Sequence, residues 1–187
     1  MTNDFFQPKP CNLSAIDDEG NTSLFLLRHG LAEDPSPTVS DAERRLTPAG
    51  IAQVKEVAAK LDFRNFARLA HITHSPLARA RETAALFRDA SGLSLPLEVC
   101  DSVQPNSDPR KSAAHFATAA GDHLIVGHNP HIEQLVCLLL GQGRIGVQAC
   151  LPPAACIALE RFSPPAARRP YGYWRLHWLV IPLPHEI

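Results

Sequence analysis

The chain alternates short apolar runs with longer stretches in which apolar residues recur every three or four positions. The first run, Ser23–Leu27, ends in four consecutive apolar residues and reads as a buried strand. Thr47-Pro48 then reads as a helix N-cap plus first helical residue. Ile51, Val54, Val57, Ala58 and Leu61 give that helix its apolar face. A second strand is predicted over Leu69–Thr73. Ser75-Pro76 repeats the cap-plus-proline signature ahead of a helix through Leu77, Ala80, Ala84 and Phe87, reaching Ala90.

Residues 92–110, rich in Pro, Ser and Asp, read as a loop, and Lys111–Ala120 as a helix. His123–Val126 is a third buried strand. Asn129-Pro130 gives a third cap signature, with Ile132, Leu135, Val136 and Leu139 on the helix face. After a loop over Gly141–Gly146, Ala154–Phe162 and Tyr171–Ile181 read as an antiparallel strand pair joined by the Pro- and Arg-rich segment 163–170. Trp174 and Trp178 are expected on one buried face of the last strand, and Cys137 in the core. Alternating strands and helices up to residue 140 predict an α/β fold: a three-layer α/β/α sandwich with a mainly parallel central sheet. The expected organisation is a polar N-terminal arm, 1–22, and a single domain, 23–187.

Composition narrows the function. Charged residues make up 20% of the chain and the net charge is −1, which argues against nonspecific binding to nucleic acid or anionic membrane. Five cysteines without a C-x-x-C spacing argue against a disulfide framework and fit a reducing cytoplasm. With acidic residues at 4, 17, 18 and 19 no signal peptide is expected, and no apolar run approaches the ~20 residues of a spanning helix. A monomer or weak dimer is expected.

Three strand-to-helix junctions carry candidate chemistry: Arg28-His29-Gly30, the run from His74 to Ala80 that holds Arg79, and Gly127-His128-Asn129-Pro130. Strands of an open α/β sheet deliver such residues to the crevice at their carboxyl edge. Helix N-termini there favour anions. Arg28 and Arg79 suit a phosphoryl group because a planar guanidinium bonds two of its oxygens at once. A neutral imidazole is a competent nucleophile near neutral pH, and a second, protonated one would stabilise the transition state. Gly30 lets the backbone turn sharply beside the pocket, and Asn129 borders it. No metal or other cofactor is needed, because the cationic side chains supply the charge. The H-x-x-H pairs His71/His74 and His128/His131 lack neighbouring carboxylates or cysteines in a ligand pattern, so no metal site is expected at either pair.

Taken in order, the R-H-G run, the S-P-x-x-R-A-x-x-T run from Ser75 to Thr83 and the G-H-x-P run resemble the histidine phosphatase superfamily, the branch of the phosphoglycerate mutases and bacterial phosphohistidine phosphatases. The resemblance covers about residues 24–160. It implies a phosphoglycerate mutase-like fold, His29 as a nucleophile that becomes phosphorylated, and Arg28, Arg79 and His128 as the rest of the phosphate pocket. The short chain and the run Arg44-Arg45-Leu46-Thr47-Pro48 look most like the small SixA-like phosphohistidine phosphatases. There an arginine matching Arg44 also reaches phosphate, and Arg45 stands where the group usually has Pro. The mutases and broad phosphatases carry an acid in the loop after the second helix. Glu98, Asp101 and Asp108 are the candidates here, and Asp101 matches that position best.

These readings predict a phosphatase acting on phosphohistidine of a protein. The alternatives are a phosphomonoesterase for a small phosphorylated metabolite and, in another class, a non-catalytic module that binds phosphoproteins.

Overall fold

The computed structural model describes residues 21–141 and 148–183. The predicted arm thus lies outside the described residues apart from Asn21 and Thr22, as does the 141–146 loop apart from Gly141. The described elements run in the order β1 (Thr22–Arg28), α1 (Pro48–Lys60), β2 (Leu69–His74), α2 (Ala78–Ala90), β3 (Leu97–Val99), α3 (Pro109–Thr118), β4 (Asp122–Gly127), α4 (His131–Gly141), β5 (Cys156–Ser163) and β6 (Tyr173–Val180).

The strands form one sheet in the order β3-β2-β4-β1-β5-β6. β1 and β2 both pair in parallel with β4, and β3 pairs in parallel with β2. β5 then pairs antiparallel with β1, and β6 antiparallel with β5. The predicted α/β class, mainly parallel sheet and C-terminal antiparallel pair are all present.

The period-two alternation of each strand splits the core into two halves. Phe25 and Leu27 of β1, with Leu124 and Val126 of β4, pack against α1 (Val54, Val57, Ala58) and α2 (Ala80, Ala84, Phe87). Leu24, Leu26 and Ile125 face the other way, onto α3 (Ala113, Phe116) and α4 (Ile132, Leu135, Val136, Leu139). Two helices on each face give the three layers.

Several expectations are corrected. The strand β3 lies inside the segment read as a loop. It is three residues long and only partly buried, on the sheet edge, so it leaves no apolar run to read. Ser75-Pro76 is not the start of α2: the helix begins at Ala78 with Leu77 as N-cap and no side-chain cap. Likewise α4 starts at His131, and the Asn129 amide donates to Glu133 Oε1 and to the Leu151 carbonyl. Thr47-Pro48 behaves as predicted, Thr47 Oγ1 accepting from the Gly50 N–H. Asp108 caps α3 by accepting from the Arg110 N–H, which moves that helix start forward to Pro109.

Trp174 and Trp178 do not share a face. The β5–β6 register shifts at Ala158/Leu159, and a bulge changes which side the following residues point to. Trp174 is buried with the α3/α4 half of the core, and Trp178 packs on the α1/α2 half. Cys137 is half-buried on α4 rather than enclosed.

Two glycines bring the loop after β1 onto the start of α1. A Cβ on Gly50 would stand 2.0 Å from the Leu31 carbonyl oxygen, and one on Gly30 would stand 2.7 Å from the Gly50 carbonyl oxygen. Both obstacles are backbone and cannot swing aside. Gly50→Ala is therefore expected to cost about 1–3 kcal/mol of stability, as overpacking that forces backbone shifts does. Urea denaturation checks this, and an unchanged midpoint would contradict the close approach.

Candidate active site

The parallel register aligns the carboxyl ends of three strands. Arg28 of β1 stands opposite Gly127 of β4, and His74 of β2 opposite Val126. The pairing continues past the strand ends: His29 N–H donates to the Gly127 carbonyl, Ser75 N–H to that of Val126, and Ala154 N–H to that of His29. Ala154, which has no exposed surface, holds this bond in the left-handed region at φ 60°. The backbone under His29 is therefore fixed from both sides.

His29 and His128 come together here, their ring centroids 4.8 Å apart. His29 Nδ1 lies 2.7 Å from the Gly30 carbonyl oxygen, which only accepts, so Nδ1 carries the proton and Nε2 the free lone pair. His128 is 1% exposed, and neither ring nitrogen has a partner among the described residues. A buried polar ring without partners is costly unless a ligand completes it.

Burial pushes the His29 pKa down to about 4, against the pull of the Gly30 carbonyl and with help from Arg79, Arg28 and Arg44. Burial also pushes His128 down to about 3, with His29 and then Arg79 adding to it. Both rings are therefore neutral at neutral pH, and His128 is not the protonated partner that the sequence reading expects.

This fixes a pH dependence. The unfolded chain binds protons on these rings as pH falls through about 6.5, while the folded chain resists until about 4 and about 3. Their contribution to stability is complete above pH 6.5 and is lost progressively as pH falls toward 4. Urea unfolding in phosphate-free buffer should show a lower midpoint at pH 5 than at pH 7.5, with a smaller drop in His128→Asn. Equal drops in the two proteins would contradict the assignment.

The arginines frame the pair. Arg28 Nη1 donates to the Leu151 carbonyl at 2.6 Å, and its Nε has no partner among the described residues. Burial lowers the Arg28 pKa, and the Glu133 carboxylate offsets part of this. Glu133 also holds the surroundings in place, accepting from Asn129 Nδ2 and from the Leu151 N–H. Arg79 is the second residue of α2, and its side chain is 6% exposed. Thr83 ties the first and second junctions together, accepting from the Gly30 N–H and donating to the Arg79 carbonyl.

Of the two neighbouring arginines, Arg44 turns inward. Its side chain is 19% exposed and its charge acts on His29. Arg45, 71% exposed, pairs with Glu82.

The predicted acids are placed elsewhere. The Asp101 carboxylate is exposed and accepts from Gln104 Nε2, Glu98 bonds His71, and Asp108 caps α3. Among the described residues none of them bonds Arg28, His29, Arg79 or His128. A carboxylate that does bond two of these arginines is that of Asp41, on the loop between β1 and α1. Its Oδ2 accepts from Arg79 Nη2 at 3.0 Å, its Oδ1 from Arg44 Nη1 at 2.7 Å, and its backbone carbonyl from Arg79 Nη1 at 2.6 Å. An acid three residues before Arg44 was the one available signal. Glu133 and Leu151 left none, since their roles depend on where the chain returns after α4.

The H-x-x-H pairs are dispersed. His71 stacks on His123 and bonds Glu98, His74 bonds the Ser75 carbonyl, and His131 bonds Ser112. Among the described residues no group of three His, Cys, Asp or Glu is placed to hold a metal ion. No described helix is long and apolar enough to cross a membrane.

Comparison with known proteins finds likenesses to one family model and to several solved structures. Residues 24–104 match the model of the histidine phosphatase superfamily, branch 1. The matched segment contains the first two junctions, with Arg28, His29, Arg44 and Arg79.

Solved structures extend the likeness to the rest of the fold. A protein histidine phosphatase SixA complexed with tungstate is 23% identical at a TM-score of 0.70, over 86% of this chain and 97% of its own. A SixA from Agrobacterium tumefaciens is 23% identical at 0.69, over 86% and 98%. A mycobacterial glucosyl-3-phosphoglycerate phosphatase is 17% identical at 0.55, over 84% and 97%. At these identities the likeness is one of fold. No curated protein matches the chain. The resemblance read from the three motifs is thus met independently, by a family model and by neighbours of the same architecture.

Proposed function

We propose that this protein is a phosphatase that hydrolyses phosphohistidine on a protein partner through a covalent phospho-His29 intermediate. The observation that carries the reading is the neutral His29, its Nε2 lone pair free, beside a buried His128 with no partner and within a frame of three arginines.

The chemistry follows from those groups. Arg28, Arg79 and Arg44 bind the phosphoryl oxygens and neutralise their charge. His29 Nε2 attacks phosphorus, and the electron pair of the broken bond leaves with the substrate's imidazole. Nδ1–H stays on the Gly30 carbonyl throughout. The anion raises the proton affinity of His128, which then donates to an equatorial oxygen. Water next attacks phosphorus, the P–N electron pair returns to His29 Nε2, the proton released by the attacking water passes to solvent, and inorganic phosphate departs. No step needs a resident metal ion or cofactor.

Two things favour a P–N substrate over an ester. None of the three predicted acids bonds the site residues, and a leaving imidazole needs less proton donation than an alkoxide. The neighbours with the higher TM-scores are SixA proteins. The reading also comprises a single catalytic domain over 23–187 and a reducing cytoplasm, in keeping with the unpaired Cys100, Cys137, Cys150 and Cys156.

The test offers a phosphohistidine peptide and a phosphate monoester in one tube, followed by 31P NMR. Loss of the P–N signal first is the expected result. Loss of the ester signal alone would establish a metabolite phosphatase, the activity carried by the glucosyl-3-phosphoglycerate neighbour. Saturable binding without release of phosphate would establish a binding module.

A further inference from the structure

Among the described residues Asp41 is the carboxylate hydrogen-bonded to Arg79 and Arg44, and nothing in the mechanism above uses it. It lies in a short helical turn, Asp41–Glu43, on the loop between β1 and α1. Its two oxygens take Arg79 and Arg44 separately, and its main chain takes Arg79 a second time. The hydrogen bond from Arg44, reinforced by Arg79, holds its carboxyl below the usual carboxylate range, so it is an anion throughout the neutral range.

The position of this anion matters as much as its charge. The Asp41 side chain is 62% exposed, whereas that of Arg79 is 6% exposed and His128 is buried. Asp41 therefore stands at the rim of the pocket, with the histidines at its floor. The Asp41 charge is felt at His128, and on the phosphatase reading the leaving group of an in-line displacement by His29 departs opposite the nucleophile, toward solvent, the side on which an exposed carboxylate can act on it.

Resting on the phosphatase reading, we propose that Asp41 sets the specificity of the pocket by the charge of the leaving group. A carboxylate at the rim disfavours any group that carries or develops negative charge there. An alkoxide leaving from a phosphate ester does so, and a second anionic group on a small metabolite does so more. A phosphohistidine imidazole protonated on its other nitrogen behaves in the opposite way. Its ring arrives with a positive charge and, on taking the electron pair of the broken P–N bond, departs neutral. Asp41 attracts the first form and opposes nothing in the second. The specificity is achieved through repulsion of the wrong substrates as well as attraction of the right one.

The experiment compares wild type, Asp41→Asn and Asp41→Glu on two substrates, a phosphohistidine peptide and phosphoglycerate, with kcat/KM measured for each. Asp41→Asn keeps the shape, the main-chain bond to Arg79 and one of the two side-chain acceptors, but removes the charge and the second acceptor. It should shift the ratio of the two kcat/KM values by about tenfold toward phosphoglycerate, the scale expected for one charge acting across a partly solvated pocket. Asp41→Glu should restore most of the wild-type ratio. Thermal unfolding of each variant controls for folding.

A ratio in Asp41→Asn within about twofold of wild type would overturn the proposal, since even one kcal/mol of charge discrimination exceeds that. Parallel losses on both substrates are such a result and would mean that Asp41 merely positions Arg79. Wild-type protein inactive on both substrates would overturn the phosphatase reading itself, and this proposal with it.

Discussion

His29→Ala is expected to reduce turnover of a phosphohistidine peptide by at least about 10⁴-fold, the scale on which loss of a covalent nucleophile is felt. The loss should fall on kcat, because in the proposed mechanism Arg28, Arg79 and Arg44 bind the phosphoryl group without His29. The variant should therefore retain affinity for orthovanadate or inorganic phosphate. The replacement leaves the Ala154 N–H bond to the residue 29 carbonyl and the residue 29 N–H bond to Gly127 intact, since both are main-chain. Its stability should hold at pH 7.5 and exceed that of wild type near pH 5, where the unfolded wild-type chain gains a proton that the folded one refuses. Steady-state kinetics with urea denaturation at both pH values checks each part. Residual turnover within tenfold of wild type would remove His29 from the chemistry.

Arg79→Ala should cost about 10²–10³ in kcat/KM, the usual toll of removing one preorganised donor from developing charge. Arg79→Lys should recover little of it. The guanidinium serves the Asp41 carbonyl with one terminal nitrogen and the Asp41 carboxylate with the other. In the proposed mechanism its remaining N–H groups serve a phosphoryl oxygen. An ammonium cannot satisfy that fork from one nitrogen. The same replacement should also loosen the loop that carries Arg44, since Asp41 is the link between them. Kinetics on both variants, with phosphate inhibition constants, decides the matter, and full rescue by lysine would show that charge alone is required.

How far the sequence could be read depended on the range over which each signal acts. Apolar runs and helical periodicity are local, so the layers, the mainly parallel sheet and the apolar faces of α1, α2 and α4 were legible. The three motifs sit immediately after strands, so Arg28, His29 and His128 could be placed at one sheet edge before any coordinates. Edge strand β3 escaped because Leu97–Val99 is short and little buried. The two cap-plus-proline pairs failed because their residues are engaged elsewhere: Asn129 is held by Glu133 and Leu151, and Ser75 sits before a helix that begins three residues later. The facing of Trp174 and Trp178 depended on a bulge that period-two counting cannot see.

The acid is the most instructive case. Asp101 was chosen from its place in the chain, but its partner is Gln104. Asp41 reaches the site because the loop after β1 folds back over α2, a long-range event with only the spacing to Arg44 to announce it.

The account rests most directly on a phosphoryl group becoming bonded to His29. The decisive measurement is rapid quench of wild-type protein with a phosphohistidine peptide, into alkali to preserve the P–N bond, followed by mass spectrometry of the intact chain and its peptides. The account predicts one added phosphoryl group, located on His29, which forms and decays within a turnover and is absent from His29→Ala. Phosphate release at full rate with no such adduct, or an adduct on another residue, would contradict it.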